Sequence, residues 1–290
     1  MLKVFENYSE HEKIKNYFIY KKKPFVIRNL FQSNVDLKFL RRKYSDYVVN
    51  SLNNNSIKEK ISIFNLINKV KKGQKYRLRA NTLIGNKIFK HVDTSIIDYL
   101  RDKQSNFLDY LLSHGETSRQ KTLFLSTKGC TFSKHAHVIS GMIFQLEGTK
   151  TWYISKTLDN FFSIRFKSFL NPNPLYVTDK DKSKEARVLL YPGDFLYIPA
   201  YWFHYTNCNE TSLSMSYFFT EKLNYYLKKT PLLFLFQAFR NPIQTIYKSL
   251  NKEPEDHIFD KMNILRKCYK IKDKYQRRDT IEFFRSNDFS

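Results

Sequence analysis

The sequence predicts a mainly β fold, a sandwich or double-sheet jelly roll, with helical segments before and after it in the chain. Three observations support this. Short apolar runs typical of strands recur between residues 121 and 219. Turn-forming residues separate these runs. Before and after this region, apolar residues instead recur with helical spacing. A chain of 290 residues, 42% of them hydrophobic, is long enough to bury a full core around such sheets.

The N-terminal part is predicted to be a mixed α/β decoration of that core. A short β-type run follows Pro24. Residues 36–44 have helical spacing, residues 57–90 indicate short alternating strands, and residues 94–112 are again helical in spacing. We therefore expect helices and strands to alternate before the main sheets begin.

The central part supplies the predicted β core, about residues 121–220. Glycines at 129, 148 and 193 mark turns between the strands. Asp194, in a Pro-Gly-Asp sequence, is predicted to be a turn residue. The predicted strands are residues 122–126, 142–146, 151–154, 187–190, 195–198 and 212–218.

From residue 221 onward the pattern predicts a C-terminal helical extension, so the expected domains are residues 1–220 and 221–290. The most apolar stretch is residues 231–239. It is far shorter than the roughly 20 residues that a membrane-spanning helix needs. We expect no transmembrane segment and a buried helix at this position.

Charge and cysteine content restrict the class of protein. The net charge of +23 is spread along the chain, which is typical of a solvated lysine surface and also compatible with an acidic partner such as nucleic acid or an acidic protein. The three cysteines lack a C-x-x-C spacing, which favours a reducing compartment. The first residues carry charges and lack an apolar run, so we do not expect a signal peptide there. The expected location is intracellular, cytoplasmic or nuclear.

Three of the seven histidines lie in two short blocks that together predict a metal site. His135 and His137 are two residues apart, so on a strand their side chains would point to one side. His204 follows a later predicted strand. Neutral histidine is the commonest metal ligand, and three such residues can hold a metal while leaving positions open. The alternative is a set of core histidines without metal.

The same blocks resemble the JmjC-type, cupin-like family of iron(II)- and 2-oxoglutarate-dependent hydroxylases. That family carries His-x-Asp, a glycine thirteen residues after the first histidine and a basic residue two beyond the glycine. His135, Gly148 and Lys150 match these positions. Residues 193–204, Gly-Asp-Phe-Leu-Tyr-Ile-Pro-Ala-Tyr-Trp-Phe-His, match the family's second stretch, which ends on the last metal ligand, here His204.

The resemblance implies a double-stranded β-helix core and two cofactors, iron(II) and 2-oxoglutarate. It implies that His135, His137 and His204 bind the metal. It further implies that Lys150, with Thr131, Ser216 and Tyr76, binds the cosubstrate. The implied activity is hydroxylation, or demethylation through hydroxylation, of a protein or RNA substrate. C-terminal helices in this family commonly support a homodimer, which we expect here.

One departure from the family pattern is His137, which stands where the family has aspartate. An imidazole in place of a carboxylate leaves the metal assembly one unit more positive. Three histidines also make a good zinc site with an open fourth position. Two alternatives therefore stand beside the first reading: a three-histidine metalloenzyme that does not use 2-oxoglutarate, and a non-catalytic binding module.

Overall fold

The structure, a computed structural model, describes residues 2–53, 57–78, 82–100, 121–156, 175–176 and 185–235. Within these residues the strands form one nine-stranded and one five-stranded sheet. The protein is therefore mainly β with several helices, as the sequence predicts. A helix long and apolar enough to cross a bilayer does not occur in this part of the chain.

The N-terminal elements alternate between strands and helices. They are β1 (Lys3–Phe5), α1 (His11–Asn16), β2 (Phe25–Ile27), α2 (Leu37–Tyr44), β3 (Val48–Asn53), β4 (Ile57–Ser62), α3 (Ile63–Lys71), β5 (Tyr76–Leu78), α4 (Thr82–Ile88) and α5 (Ser95–Leu100). Single turns of 3-10 helix, at Tyr8–Glu10 and Phe89–His91, and a π-helical turn, at Tyr17–Lys21, connect some of them.

The central and C-terminal elements complete both sheets. They are β6 (Lys121–Ser126), β7 (Thr131–Ala136), β8 (Ser140–Glu147), β9 (Lys150–Ser155), β10 (Leu175–Tyr176), β11 (Ala186–Leu190), β12 (Phe195–Ile198), β13 (Phe203–Cys208), β14 (Ser212–Phe219) and α6 (Leu223–Lys229). The large sheet has the order β1-β2-β12-β8-β14-β6-β5-β3-β4, and the small sheet has the order β10-β7-β13-β9-β11. All six strands predicted in the core are confirmed, whereas β7, β10 and β13 were not among them.

The prediction of strands throughout residues 57–90 is wrong for two segments. β4 and β5 are strands, but α3 and α4 are helices. In α3, the apolar residues at 63, 66, 67 and 70 are buried on one side, which is helical spacing. The Ser62 side chain caps this helix by accepting a hydrogen bond from the Asn65 amide at 3.2 Å. The helix predicted from residue 36 is confirmed, and Asp36 caps it in the same way.

The large sheet is covered on the side facing the N-terminal helices. Strand residues such as Met142, Phe144 and Met215 pack in one buried cluster with Leu66 and Ile67 of α3. Since side chains alternate along a strand, the residues between them point to the opposite side, toward the small sheet. The large sheet thus separates an apolar core from the space between the two sheets.

The turn before β12 connects this strand to the N-terminal part. The carboxylate of buried Asp194 accepts hydrogen bonds from the amides of Tyr191 (2.9 Å) and Asn29 (3.2 Å) and pairs with the Arg28 guanidinium. Asp194 is therefore a turn residue, as predicted, and also fixes the segment after β2 against the core.

Residues after β14 pack on the chain segments near residues 138 and 200. Tyr226 and Phe234 are buried in one cluster with Tyr201. The Tyr225 hydroxyl donates to the Ala200 carbonyl at 2.8 Å, and the Tyr226 hydroxyl donates to the Val138 carbonyl at 3.1 Å. Within the helix predicted to be buried, residues 231–235 are helical, but only Leu233 and Phe234 are buried, whereas Leu232 and Leu235 are exposed. Residues 236–239, like the predicted helical residues 101–112, lie outside the described residues.

Gly148 provides a test of the β8–β9 turn. Its φ of +64° favours glycine, and a Cβ atom there would lie 2.0 Å from the Thr211 carbonyl oxygen. Gly73 has a φ of +75° but open space around it. We expect Gly73→Ala to cost about 1–2 kcal/mol of unfolding free energy through strain alone. Gly148→Ala should cost roughly 1–3 kcal/mol more, because the backbone must shift. Chemical denaturation of both variants measures the difference, and equal losses would contradict the expectation.

Candidate metal centre

Three histidine side chains converge between the two sheets. His135 lies near the end of β7 and pairs directly with His204 of β13. His137 is the first residue after β7, not on the strand itself. One nitrogen from each ring lies within 4.8 Å of the others, and the ring centres of His135 and His204 are 4.6 Å apart. The cluster predicted from the sequence is therefore formed.

Backbone carbonyls fix which ring nitrogen of two histidines carries the proton. His135 Nδ1 lies 2.6 Å from the Ser133 carbonyl oxygen, and His204 Nδ1 lies 2.9 Å from the Trp202 carbonyl oxygen. A carbonyl only accepts, so Nδ1 must donate in both cases. The lone pair is then on Nε2, which is the arrangement of a metal-ligating histidine with an oriented ring.

Burial keeps the imidazoles of His135 and His204 neutral. Burial, and to a smaller extent the nearby His135, lower the pKa of His204 to about 3. The pKa of His135 is also lowered, mainly by burial and additionally by the positive charge of Arg77. A neutral imidazole is the form that binds a metal ion, so the site is prepared for a cation without prior loss of protons.

A residue in the left-handed backbone conformation lies shortly before β13 and helps to position His204. Tyr201, fully buried, has a φ of +62°. Its amide donates to the His137 carbonyl at 2.7 Å, and the Trp202 amide donates to the Pro199 carbonyl at 3.2 Å. These bonds join the residue after β7 to the turn before β13. Both metal-site segments are thereby held together by main-chain contacts.

The histidines line a cavity between the sheets. Its volume of about 70 Å³ is several times the roughly 10–15 Å³ that one water needs. Most of its wall is apolar. The lining residues are Phe124, Phe132, His135, His137, Ile139, Gly141, Ile143, Lys150, Trp152, Ile198, Pro199, His204, Thr206, Ser214, Ser216 and Phe218.

Lys150 brings a buried positive charge into this cavity. It is the first residue of β9 and is 2% exposed. Its ammonium donates to the Ser214 hydroxyl at 3.0 Å, the one hydrogen bond it makes within the described residues. Burial lowers its pKa. An ammonium has three donors, and among the described lining residues there is no carboxylate. The cavity therefore favours an anionic ligand.

Two further polar atoms in the wall have no partner among the described residues. They are the indole nitrogen of Trp152 and the hydroxyl of Thr206, both buried. Trp152 is two residues from Lys150 on β9, and Thr206 is two residues from His204 on β13. The sequence analysis missed both residues, although the two-residue repeat of a strand, counted from Lys150 and His204, would have found them.

The other predicted cosubstrate residues divide into two groups. Ser216 lines the cavity, 3% exposed, two residues from Ser214 on β14. Thr131 and Tyr76 do not line it. Thr131 is exposed at the start of β7. The Tyr76 hydroxyl is 2.9 Å from both the Glu59 carboxylate and the Lys69 ammonium.

A β-bulge explains the position of Thr131. Counting back by twos from His135 would place Thr131 inside the cavity. The pairing of β7 with β13 shifts register between His204 and Thr206, so that Phe132 faces the cavity instead. An extra residue in one strand reverses the alternation beyond it.

Comparison with known families gives one finding. The family model of the JmjC domain matches residues 97–226. The matched range contains the three histidines, Lys150 and Ser216, and it begins after Tyr76. This match confirms the resemblance drawn from the two motif blocks. Among curated proteins, none matches this chain.

The lowered pKa of His204 makes the stability of the metal-free protein depend on pH. The unfolded chain binds this proton near pH 6.5, whereas the folded protein binds it only near pH 3. The folded state should therefore lose stability as pH falls from 6.5 toward 3, by up to about 1.4 kcal/mol per pH unit. Denaturation at pH 7 and pH 5 measures this loss.

The His204→Gln variant should show a smaller loss between these two pH values, because it has no imidazole to protonate. His11→Gln, at an exposed position, serves as the matched control and should behave as the unaltered protein does. An equal loss in His204→Gln and the unaltered protein would contradict the expectation.

Proposed function

We propose, starting from the JmjC domain that the chain contains over residues 97–226, that this protein is an iron(II)- and 2-oxoglutarate-dependent oxygenase that hydroxylates a macromolecular substrate. The observation that carries the proposal is a pairing of two features in one cavity. Lys150 presents a buried ammonium without a carboxylate partner among the described residues, and three histidines converge on the same space.

We infer that the β core is a double-stranded β-helix. Eight strands, β6 to β9 and β11 to β14, alternate between the two sheets along the chain, except that β9 and β11 follow one another within the small sheet as an antiparallel pair. They give the orders β12-β8-β14-β6 and β7-β13-β9-β11. This alternation is what a jelly roll requires, and it leaves a space between the sheets that is lined by inward-facing residues of both.

The residues that would hold iron(II) are His135, His137 and His204. The Nε2 atoms of His135 and His204 are free to bind, because Nδ1 of each ring donates to a backbone carbonyl. When bound on one face by three protein ligands, iron(II) supplies open positions for a keto acid and dioxygen. This chain's part is to keep the imidazoles neutral and correctly oriented.

Lys150 is the first of the residues that would hold 2-oxoglutarate. Its ammonium would pair with the distal carboxylate in a charge-assisted hydrogen bond. The Trp152 indole and the Thr206 hydroxyl offer donors between Lys150 and the histidines, where they have no other partner among the described residues. Apolar side chains around them exclude water, which strengthens each of these interactions. The unpaired donors of the cavity therefore fit a small dianion.

Charge balance supports the fit despite His137. Iron(II) carries two positive charges, three imidazoles carry none, and 2-oxoglutarate carries two negative charges. The sum is zero, so neutral ligands do not prevent the assembly. When Lys150 is included, the cavity has one net positive charge, which the usual aspartate ligand of the family would have cancelled.

A second candidate function is a metalloenzyme that does not use 2-oxoglutarate. The donor set favours it, because three imidazoles without a carboxylate form a good zinc site with an open fourth position. In that case Lys150 would bind some other anion. The two candidates differ in whether a keto acid binds to the metal-loaded protein.

The first test measures 2-oxoglutarate binding without oxygen. We expect the iron(II)-loaded protein to show the weak visible band of the keto-acid chelate. Lys150→Met keeps the volume but removes the charge, so it should retain iron and weaken 2-oxoglutarate binding roughly 10- to 100-fold. Lys134→Met is the matched control, since Lys134 pairs with Glu185 at 2.9 Å and does not line the cavity.

The outcomes separate the candidates. Stoichiometric metal without the band would favour the enzyme that does not use 2-oxoglutarate. A protein that takes up no metal would favour a non-catalytic binding module. Metal content unchanged in His135→Ala would contradict the ligand assignment.

The His137→Asp variant tests the departure from the family pattern. A carboxylate adds a negative charge to the metal site, so we expect iron(II) to bind at least as tightly as in the unaltered protein, with the chelate band preserved. His137→Ala removes a ligand without replacing it and should weaken metal binding. Competition with a chromogenic chelator measures both affinities. Equal weakening in the two variants would show that a carboxylate does not replace the imidazole, and unchanged affinity in both would show that residue 137 is not a ligand.

A further inference from the structure

A second cation lies beside the cavity wall. Arg77, in the middle of β5, points away from the core that contains Tyr76 and Leu78. The centre of its guanidinium is 4.6 Å from the ring centre of Phe132, which lines the cavity. Its side chain is half-buried, and its Nε atom is buried without a partner among the described residues.

Arg77 has donors left for a ligand. Its one hydrogen bond within the described residues runs from Nη1 to the Thr131 carbonyl, at a long 3.5 Å. A guanidinium offers five N–H donors in a planar fork that matches an oxoanion. No carboxylate pairs with it among the ion pairs of the described residues. The Nε donor is therefore unsatisfied among the described residues, and the half-exposed side chain leaves Nη donors open to a ligand.

The surroundings of Arg77 place it close to the metal site. Tyr176 of β10 pairs with His135, their ring centres are 5.9 Å apart, and Tyr176 is 38% exposed. The Arg77 guanidinium contacts the ring of Phe132, which lines the same cavity as His135. Arg77, Phe132 and Tyr176 therefore form a rim between an exposed surface and the histidines.

The charges around this rim disfavour a cationic substrate. Lys150 and Arg77 both carry positive charge, and among the described lining residues no carboxylate offsets them. The two charges of a bound iron(II) would be cancelled by those of 2-oxoglutarate, so the net charge stays positive. A methylated lysine or arginine side chain would bring a further positive charge next to these groups, in a cavity of low dielectric constant. A neutral or negatively charged side chain meets no such repulsion.

We propose that Arg77 is a specificity-determining residue that binds the side-chain carboxylate of an acidic peptide next to the carbon that is oxidised. The inference rests on the proposed function and deepens it. A carboxylate at the end of a flexible side chain can approach the exposed part of the guanidinium and accept two hydrogen bonds from its Nη groups. A phosphodiester is joined to its chain on both sides, so it lacks the single flexible tether that lets a side-chain carboxylate adjust to the guanidinium. The substrate is thus an acidic protein segment, and demethylation of a methylated lysine is disfavoured.

The test compares labelled peptide pools on the full chain. Three pools of hexapeptides are identical except at two central positions, which carry Asp or Glu, Asn or Gln, or Lys. A single-stranded RNA of eight nucleotides serves as a fourth probe. Fluorescence anisotropy is measured anaerobically on the iron(II)-loaded protein, with and without 2-oxoglutarate, so binding is read without turnover.

We expect the acidic pool to bind at least about ten-fold more tightly than its amide counterpart, as one charged hydrogen-bonded pair would produce. Arg77→Gln should abolish this preference, and Arg77→Lys should keep part of it. Arg187→Gln is the matched control, because Arg187 lies against Tyr153, outside the cavity lining, and the preference should persist there.

Several results would overturn the proposal. These are equal binding of the acidic and amide pools, a preference that survives Arg77→Gln, tightest binding of the lysine pool, or RNA as the only probe that depends on Arg77. Loss of the keto-acid chelate band in Arg77→Gln would also overturn it, by making Arg77 part of the cosubstrate site. Absence of that band in the unaltered protein would instead contradict the proposed function, while the peptide comparison without 2-oxoglutarate would still decide the role of Arg77.

Discussion

The large sheet is buried on both faces where it borders the cavity, and the rest of the structure depends on this constraint. On β8, Met142 and Phe144 pack in the apolar core, while Gly141 and Ile143 line the cavity. β14 follows the same rule. A shift of one residue would exchange the two sets and bury polar groups in the core. The register of these strands is therefore strongly fixed, and it determines where each cavity residue lies.

The same burial gives the cavity its chemical character. It lowers the pKa of Lys150 and that of His204, because in both cases the charged form is poorly solvated. The consequences differ. The imidazoles become better ligands for a cation, while the ammonium gains most from an anion beside it. Under the proposed function, a metal ion and an anionic ligand would carry opposite charges in one cavity of low dielectric constant, so each would favour the binding of the other.

Sequence spacing was sufficient to predict that His135, His204, Lys150 and Ser216 lie at one site, and all four line the cavity. It failed where local geometry intervenes. Tyr76 and Thr131 were assigned to the site, but their neighbours Arg77 and Phe132 are the residues beside it. An error of one residue along a strand places the side chain on the opposite face of the sheet. The bulge in β7 cannot be predicted from composition. The helix α3 was mistaken for strands because its helical spacing lies within a short apolar run.

The hydrogen bonds of the histidine rings have a consequence for how the site tolerates change. Both Nδ1 atoms donate to carbonyl oxygens two residues earlier, at Ser133 and Trp202. In many metal sites the corresponding partner is a carboxylate side chain, which a single substitution can remove. Main-chain oxygens are present whatever the residue. The tautomers of the rings at positions 135 and 204 therefore do not depend on which side chains stand at positions 133 and 202.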